Sequence, residues 1–187
     1  MESHGGYAMS SKHFLKLACL LCIMACCIAA SPEAAQGWAL QVVEIRIDGE
    51  AADMVKEVAV IAPGKDKAER RDLRKGVQFE QGEEIVVPPR TVLVLTSENG
   101  NTVRLQPGAH FKVNVVGKEG ETYSLLAGKA LFTVSKTLNF FNVNYQSFLA
   151  IVRGTEFEMA VQPKKEIRFD LISGRLVVHR EVKVRIL

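Results

Sequence analysis

A short phrase recurs five times between residues 77 and 174: an apolar residue, any residue, a second apolar residue, any two residues, then glycine. β-branched or aromatic residues resume after each glycine, as they do in strands. Glycine lacks a Cβ and adopts positive φ without a clash, which suits it to turns. We therefore expect each phrase to be a strand that ends in a turn. The five glycines are Gly82, Gly108, Gly128, Gly154 and Gly174.

The spacing of these glycines is regular. It alternates between 26 and 20 residues, so the pattern returns after 46, and the same shift superposes Phe111 on Phe157. This indicates an internal duplication and predicts an all-β fold, a rolled or solenoid-like stack of short strands and hairpins with an internal pseudo-repeat. Alternatively, the phrases arise by chance in an ordinary all-β chain, and the fold is a β-sandwich.

The segment before the phrases predicts two further strands. Residues 40–47 alternate well enough for a strand, Asp48 and Gly49 mark a turn, and residues 55–62 form a second apolar run. Residues 63–76 then mix basic and acidic side chains, which predicts a solvated loop or a short helix closed by Gly76.

The cysteines restrict the chemistry of the folded part. All four lie between Cys19 and Cys27, and none follows. The folded part therefore has neither a disulfide nor a thiolate metal site. The spacing of Cys19 and Cys22 resembles half of a zinc or redox site, but the pair lies in an apolar run without a second half, so we interpret it as part of a hydrophobic segment.

The amino-terminal region has the pattern of an export signal. An apolar run from Leu17 to Ala30 follows Lys12 and Lys16 and is shorter than the approximately 20 residues that span a bilayer. We predict a signal peptide at residues 1–30, a polar spacer at 31–37 and one folded domain at 38–187. Translation starts at Met1 or at Met9. The expected location is the periplasm, the outer membrane or the medium.

Two ways of processing the signal peptide remain open. Residues 23–26, Ile-Met-Ala-Cys, resemble a bacterial lipobox, which makes Cys26 a candidate for acylation and for anchoring the protein in a membrane. The small residues Ala29 and Ala30 fit ordinary cleavage instead. The first leaves a lipoprotein, the second a free exported protein.

Charge and motifs exclude several functions. The chain has 24 basic and 21 acidic residues, a net charge of +3, which is too small to direct it to nucleic acid. His110 and His179 have no neighbours in sequence that suggest a metal site or a catalytic triad. Glu156 and Glu158 share a strand face, as a glycosidase pair would, but we interpret them as the solvated side of a half-buried strand. We predict no enzyme activity, cofactor or metal site.

The order of the phrases resembles the FecR domain of bacterial anti-sigma regulators in iron uptake, which also occurs alone in secreted proteins. The resemblance covers a core of residues 76–178. The matching phrases are 82–85 (G-D-x-I), 97–105 (D-G-S-x-V-x-L), 125–134 (L-x-x-G-x-a-x-F-x-V), 153–159 (G-T-x-F-x-V) and 173–178 (x-G-x-V-x-V). Asn99 and Asn101 replace the usual Asp and Ser of the second phrase, where Asn-Gly is itself a strong hairpin turn.

The resemblance implies a structural signature formed by the five glycines with Thr155 and Phe157. We expect Gly154 and Thr155 to shape a turn, Phe157 to anchor the core, and Gly154→Val to damage folding. Only residues 1–11 precede the export signal, so we expect no direct binding of a sigma factor.

Three functional hypotheses follow from the sequence. The leading one is an extracytoplasmic binding or signalling module whose partner is an envelope protein or a glycan. The second is a structural or adhesive envelope protein, and the third is a glycan-processing enzyme.

Overall fold

The computed structural model describes residues 39–135, 140–162 and 166–180, and these ranges contain strands and no helix. The predicted all-β class is therefore confirmed. The signal peptide, the spacer and Cys26 lie outside the described residues. The strands are β1 (Leu40–Ile47), β2 (Glu50–Ala52), β3 (Met54–Ile61), β4 (Glu69–Arg74), β5 (Gln78–Phe79), β6 (Glu84–Val86), β7 (Thr91–Ser97), β8 (Thr102–Leu105), β9 (His110–Val116), β10 (Gly120–Val134), β11 (Phe140–Tyr145), β12 (Phe148–Val161) and β13 (Ile167–Arg180).

Hydrogen-bonded pairing joins all of these strands into one sheet. Its main path runs β2-β1-β7-β8-β10-β9-β6-β3-β4, with β11, β12 and β13 continuing from β10 and with β5 beside β1. The sheet curls into an open half-barrel. A β-sandwich would need two separate sheets, so the described strands form the rolled arrangement instead. Nearly all pairs are antiparallel, but β10 and β11 run parallel.

The concave face of the sheet encloses a core of aromatic side chains. Phe132 stacks on Phe157 at 4.9 Å between ring centroids and meets the edge of Phe141 at 6.1 Å. Tyr123 lies between Phe141 and Phe111, at 5.5 and 5.3 Å. All five side chains are fully buried. The position predicted for Phe157, inside the core with Phe111, is confirmed.

The phrase glycines all have positive φ, as the sequence predicts, but only two of them lie in turns. Gly82 and Gly108 lie in the turns that follow the short strands β5 and β8, whereas Gly128, Gly154 and Gly174 lie inside long strands. The expected turn at each of these three positions is therefore wrong. A long strand there changes direction at the glycine instead of ending.

Gly128 shows what such a bend achieves. Before it, β10 pairs with β9 up to Ala127, and after it β10 pairs with β8 from Ala130. The bend thus allows β10 to pair with two different strands along its length. A Cβ at Gly128 would lie 2.7 Å from the Cα of Ala109, so the backbones approach too closely for any side chain there.

The predicted strands at 40–47 and 55–62 correspond to β1 and β3, and Asp48 and Gly49 form the turn. The prediction for residues 63–76 is wrong, because residues 69–74 form β4. The strand is an edge strand whose side chains are mostly charged. Leu73 alone among them is fully buried, so the apolar alternation that marks a strand is missing from its sequence.

No helix in the described ranges has the length and apolar character needed to cross a membrane.

Candidate binding surface

The edges of the sheet are protected unequally. β2 has three residues, and β4 carries mainly charged side chains, both of which discourage pairing with another chain. β13 has 14 residues, contains neither proline nor lysine, and pairs only with β12 among the described strands. Strands average about five or six residues. We call the side of β13 that faces away from β12 the free edge.

Apolar side chains flank the free edge. Four of the larger aliphatic residues of β13 are substantially exposed: Leu171 (51%), Ile172 (59%), Val177 (42%) and Val178 (42%). Ile151 of the neighbouring strand adds a further exposed side chain. Exposed apolar residues scattered singly need no explanation, but a group of them along one strand is typical of an interaction surface.

A compact corner links β12 to β13. The hydroxyl of Thr155 accepts the N–H of Arg175 at 3.1 Å and lies 2.7 Å from the carbonyl oxygen of Arg175 and 3.0 Å from that of Arg153. Its one proton serves these two acceptors. Thr155 is buried, so it satisfies backbone groups that water cannot reach.

Gly174 lies against this corner. A Cβ at Gly174 would lie 2.3 Å from the carbonyl oxygen of Gly154 and 2.8 Å from the Cα of Thr155. The pairing register of β12 and β13 is irregular at the same place. Gly154 and Thr155 therefore contact the last strand from inside β12, and not from the turn expected for them.

The outward face of β12 and β13 carries like charges in opposed pairs. Glu158 lies opposite Asp170, and Arg153 lies opposite Arg175. Like charges directly opposite each other in an antiparallel pair are destabilising. The acidic pair is neutralised within the chain, because Glu158 binds a lysine of β10 and Asp170 binds Arg168, each at 2.8 Å.

The two carboxylates that suggested a glycosidase are on this outward face. Glu156 and Glu158 alternate with the buried Phe157 and Met159, as the alternation predicts. Glu158 forms an ion pair with Lys129. The structure does not bring a histidine to either carboxylate among the described residues.

The two histidines lie apart. His110 on β9 contacts Glu84 at 2.8 Å, and Lys112 contacts the same carboxylate at 2.9 Å. Burial acts to raise the pKa of Glu84, but the hydrogen bonds from Lys112 and His110 outweigh it and lower that pKa. His179 is exposed on β13, opposite Leu149.

A buried polar cluster was not anticipated from the sequence. Glu121 is fully buried, and its carboxylate accepts hydrogen bonds from Asn99 Nδ2 at 2.8 Å and from the hydroxyl of Tyr123 at 2.9 Å. Burial and the neighbouring carboxylate raise the pKa of Tyr123 well above its ordinary value. The available signal was the position of Glu121 two residues before Tyr123, on the same strand face.

The same cluster explains the unusual turn residues. Asn99 also donates to the carbonyl oxygen of Gly117 at 3.0 Å, and the side-chain oxygen of Asn101 accepts the N–H of Ser135 at 2.8 Å. The side-chain amide nitrogen of Asn101 is buried without a hydrogen-bond partner. Both asparagines therefore link the turn between β7 and β8 to residues at the two ends of β10.

No group of three or more His, Cys, Asp or Glu side chains that could hold a metal ion occurs in the described part of the chain.

Comparison with known proteins returns one family. The sequence model of the family described as FecR protein matches residues 83–177, which lie inside the predicted core of 76–178 and run from the end of the first glycine turn to β13. Neither a curated protein nor a solved structure matches the chain.

Proposed function

This chain belongs to the FecR protein family, and we propose that its folded domain is a non-enzymatic binding module of the bacterial cell envelope that holds a protein partner at the free edge of β13. The observation that carries the proposal is the contrast between this long edge, with its exposed aliphatic side chains, and the short or mostly charged edges elsewhere in the sheet.

The chemistry of the edge favours a protein over a glycan. The free edge of a strand offers a row of backbone N–H and C=O groups, which an extended peptide can pair with directly. The flanking side chains, such as Ile172 and Val177, are aliphatic. Main-chain pairing supplies affinity in such complexes, and flanking side chains supply specificity.

The proposed location is the envelope. The family occurs in envelope signalling and iron-uptake regulation, and the sequence predicts an export signal, with Cys26 as a candidate for a lipid anchor. A lipid-anchored form would present the domain at a membrane, where a partner chain lies within reach. A role in transport or iron-uptake regulation fits this setting.

A purely structural or adhesive role is the second candidate. A stable, unpartnered β-surface supports it as well, since a strand edge that binds and one that does not have the same composition. The two differ in whether the edge is occupied by a defined protein in the cell.

The test is site-specific photo-crosslinking in living bacteria that produce the full-length protein. A photoreactive amino acid replaces Val177 on β13, and in a matched strain it replaces Val43 on β1; the two residues are 42% and 39% exposed. We expect a discrete protein adduct from position 177 and none from position 43. Equal labelling from both positions, or none from position 177, would overturn the proposal in favour of the structural role.

A further inference from the structure

The residues of β13 and their pairing register indicate what kind of protein it binds. Building on the proposed function, we infer that the protein held at the free edge is a second copy of this chain, whose β13 pairs antiparallel with the first around a two-fold axis. Three features support this inference: the charges on the outward face of β13, the bend at Gly174, and the apolar side chains on the inward face of β13.

The acidic residues of β12 and β13 have basic partners within one chain, whereas the basic pair lacks an acidic one among the described residues. Asp170 faces the acidic Glu158 on β12, whereas Arg175 faces the basic Arg153. Neither Arg153 nor Arg175 has a carboxylate partner among the described residues. When two copies of β13 pair with Asp170 opposite Arg175, the acidic pair of each copy meets the basic pair of the other. A two-fold interface forms this contact twice.

The bend at Gly174 makes this pairing geometrically consistent. Asp170 of one copy lies beside Arg175 of the other only if both side chains face the same side of the sheet. In a regular strand they would face opposite sides, because they are an odd number of residues apart. The irregular register near Gly174 reverses the alternation, so that Asp170 and Arg175 both lie on the outward face, opposite Glu158 and Arg153.

The inward face follows the same register. Phe169 lies opposite the buried Met159 and Leu176 lies opposite the buried Val152, so both point toward the core. The two-fold pairing brings Phe169 of one copy opposite Leu176 of the other. Cross-strand apolar pairs of this kind each contribute about 0.2 to 1 kcal/mol.

The same register also pairs the ends of the strand. Ile167 lies opposite Val178 of the second copy, and both are apolar inward-facing residues, opposite Val161 and Ala150 of β12. The dimer therefore extends the curled sheet of each copy without a break, and it covers an edge that no other described strand of the same copy pairs with.

The experiment exchanges the two charges. Full-length protein, purified in mild detergent, is examined by sedimentation velocity over a range of concentrations as wild type, Asp170→Arg, Arg175→Asp and the double variant. We expect the wild type to dimerise and each single variant to dissociate at least about tenfold more readily, because like charges then face each other. The double variant, and an equimolar mixture of the two single variants, regain the dimer.

Controls separate this inference from a folding defect and from the proposed function. Arg74→Asp on the exposed edge of β4 makes the same change in net charge as Arg175→Asp and leaves the dimer intact. A monomeric wild type, or a dimer that both single variants preserve, overturns the inference. If position 177 then crosslinks to a different protein, the proposed function stands without the dimer; if it crosslinks to nothing, both fail. Restoration in the mixture cannot come from a misfolded variant, so it supports the inference directly.

Discussion

β10 and β13 have similar backbones but different surroundings, since β10 lies within the sheet and β13 lies at its edge. They have 15 and 14 residues, and each bends at an internal glycine with positive φ, Gly128 and Gly174. β10 pairs with four strands and places its inward side chains in the aromatic core, whereas β13 pairs, among the described strands, with β12 alone. A bend at a glycine with positive φ thus occurs both in a strand that is largely buried and in one that is largely exposed. What differs is its use: β10 stabilises the fold, and β13 offers a surface.

The largest effect expected from this contrast is on the core. Phe132→Ala removes a buried ring that packs on Phe157 and Phe141, and we expect a loss of about 3 to 5 kcal/mol in the free energy of unfolding. Urea denaturation at low protein concentration measures it. Val177→Ala on β13 serves as the matched truncation and costs less than about 0.5 kcal/mol. Equal losses would mean that β13 contributes to stability as β10 does.

The next effect concerns the glycine bends. We expect Gly128→Ala to cost about 2 to 3 kcal/mol, because the new methyl group would meet the Cα of Ala109 at 2.7 Å in addition to the strain of positive φ. Gly108→Ala is the control, since it has positive φ with nothing within 4 Å of the new atom, and it costs about 1 kcal/mol. Equal costs in urea denaturation would show that strain alone matters.

The corresponding change in β13 sharpens the comparison. Gly174→Ala would place a methyl group 2.3 Å from the carbonyl oxygen of Gly154, so the pairing of β12 with β13 must open locally. We expect amide hydrogens of β13 to lose protection from exchange, while those of β10 keep theirs. A uniform loss of protection in both strands would contradict the separation of the two regions. Gly154→Val, expected from the sequence to damage folding, acts at the same corner.

A smaller effect is expected at the corner hydroxyl. Thr155→Val keeps the shape of the side chain but removes the hydrogen bonds to the backbone of Arg175, and we expect a loss of about 1 to 2 kcal/mol. Thr155→Ser retains the hydroxyl and should lose clearly less. Thermal denaturation of the three proteins compares them. If the serine variant is as unstable as the valine variant, packing of the methyl group is the important contribution.

The smallest effect is a pH dependence at the ion cluster of β6 and β9. The pKa of Glu84 is lowered in the folded protein, so its contribution to stability is present above its ordinary pKa of 4.5 and is lost as the pH falls through the folded value. We expect Glu84→Gln to cost less than about 1 kcal/mol at pH 7 and almost nothing near pH 3. Urea midpoints at the two pH values measure this. A constant difference would exclude titration of Glu84 as the cause.

Much of the fold could be predicted from the sequence, because glycine positions and apolar alternation are local features of the chain. The phrases placed glycines where positive φ is needed, and alternation placed Phe157 in the core. The hydrogen bond that satisfies the buried Glu121 could not be predicted, since its donor, Asn99, lies in the distant turn between β7 and β8. β4 was missed because only Leu73 of its residues is fully buried. Whether a glycine ends a strand or bends it depends on which strands lie beside it, and local sequence does not record this.

The candidate surface was the least predictable part. The sequence marks residues 173–178 as the closing phrase of the core, and nothing local shows that β13 has, within the described ranges, a neighbouring strand on one side only. Exposure of Leu171 and Ile172 follows from the end of the sheet, which is a property of the whole topology.

The pairing pattern also determines the order in which the molecule can assemble. Val161 and Ile167, which pair at one end of β12 and β13, are near neighbours in the chain, whereas Leu40 must find Ser97 across more than fifty residues. Short-range contacts close sooner than long-range ones, because closing a longer loop has a larger entropic cost. We expect the last hairpin to form early and the pairing of β1 with β7 to complete the fold. A full-length chain that refolds would then present its free edge to other chains before its own core has closed, so pairing between two copies competes with the folding of each one.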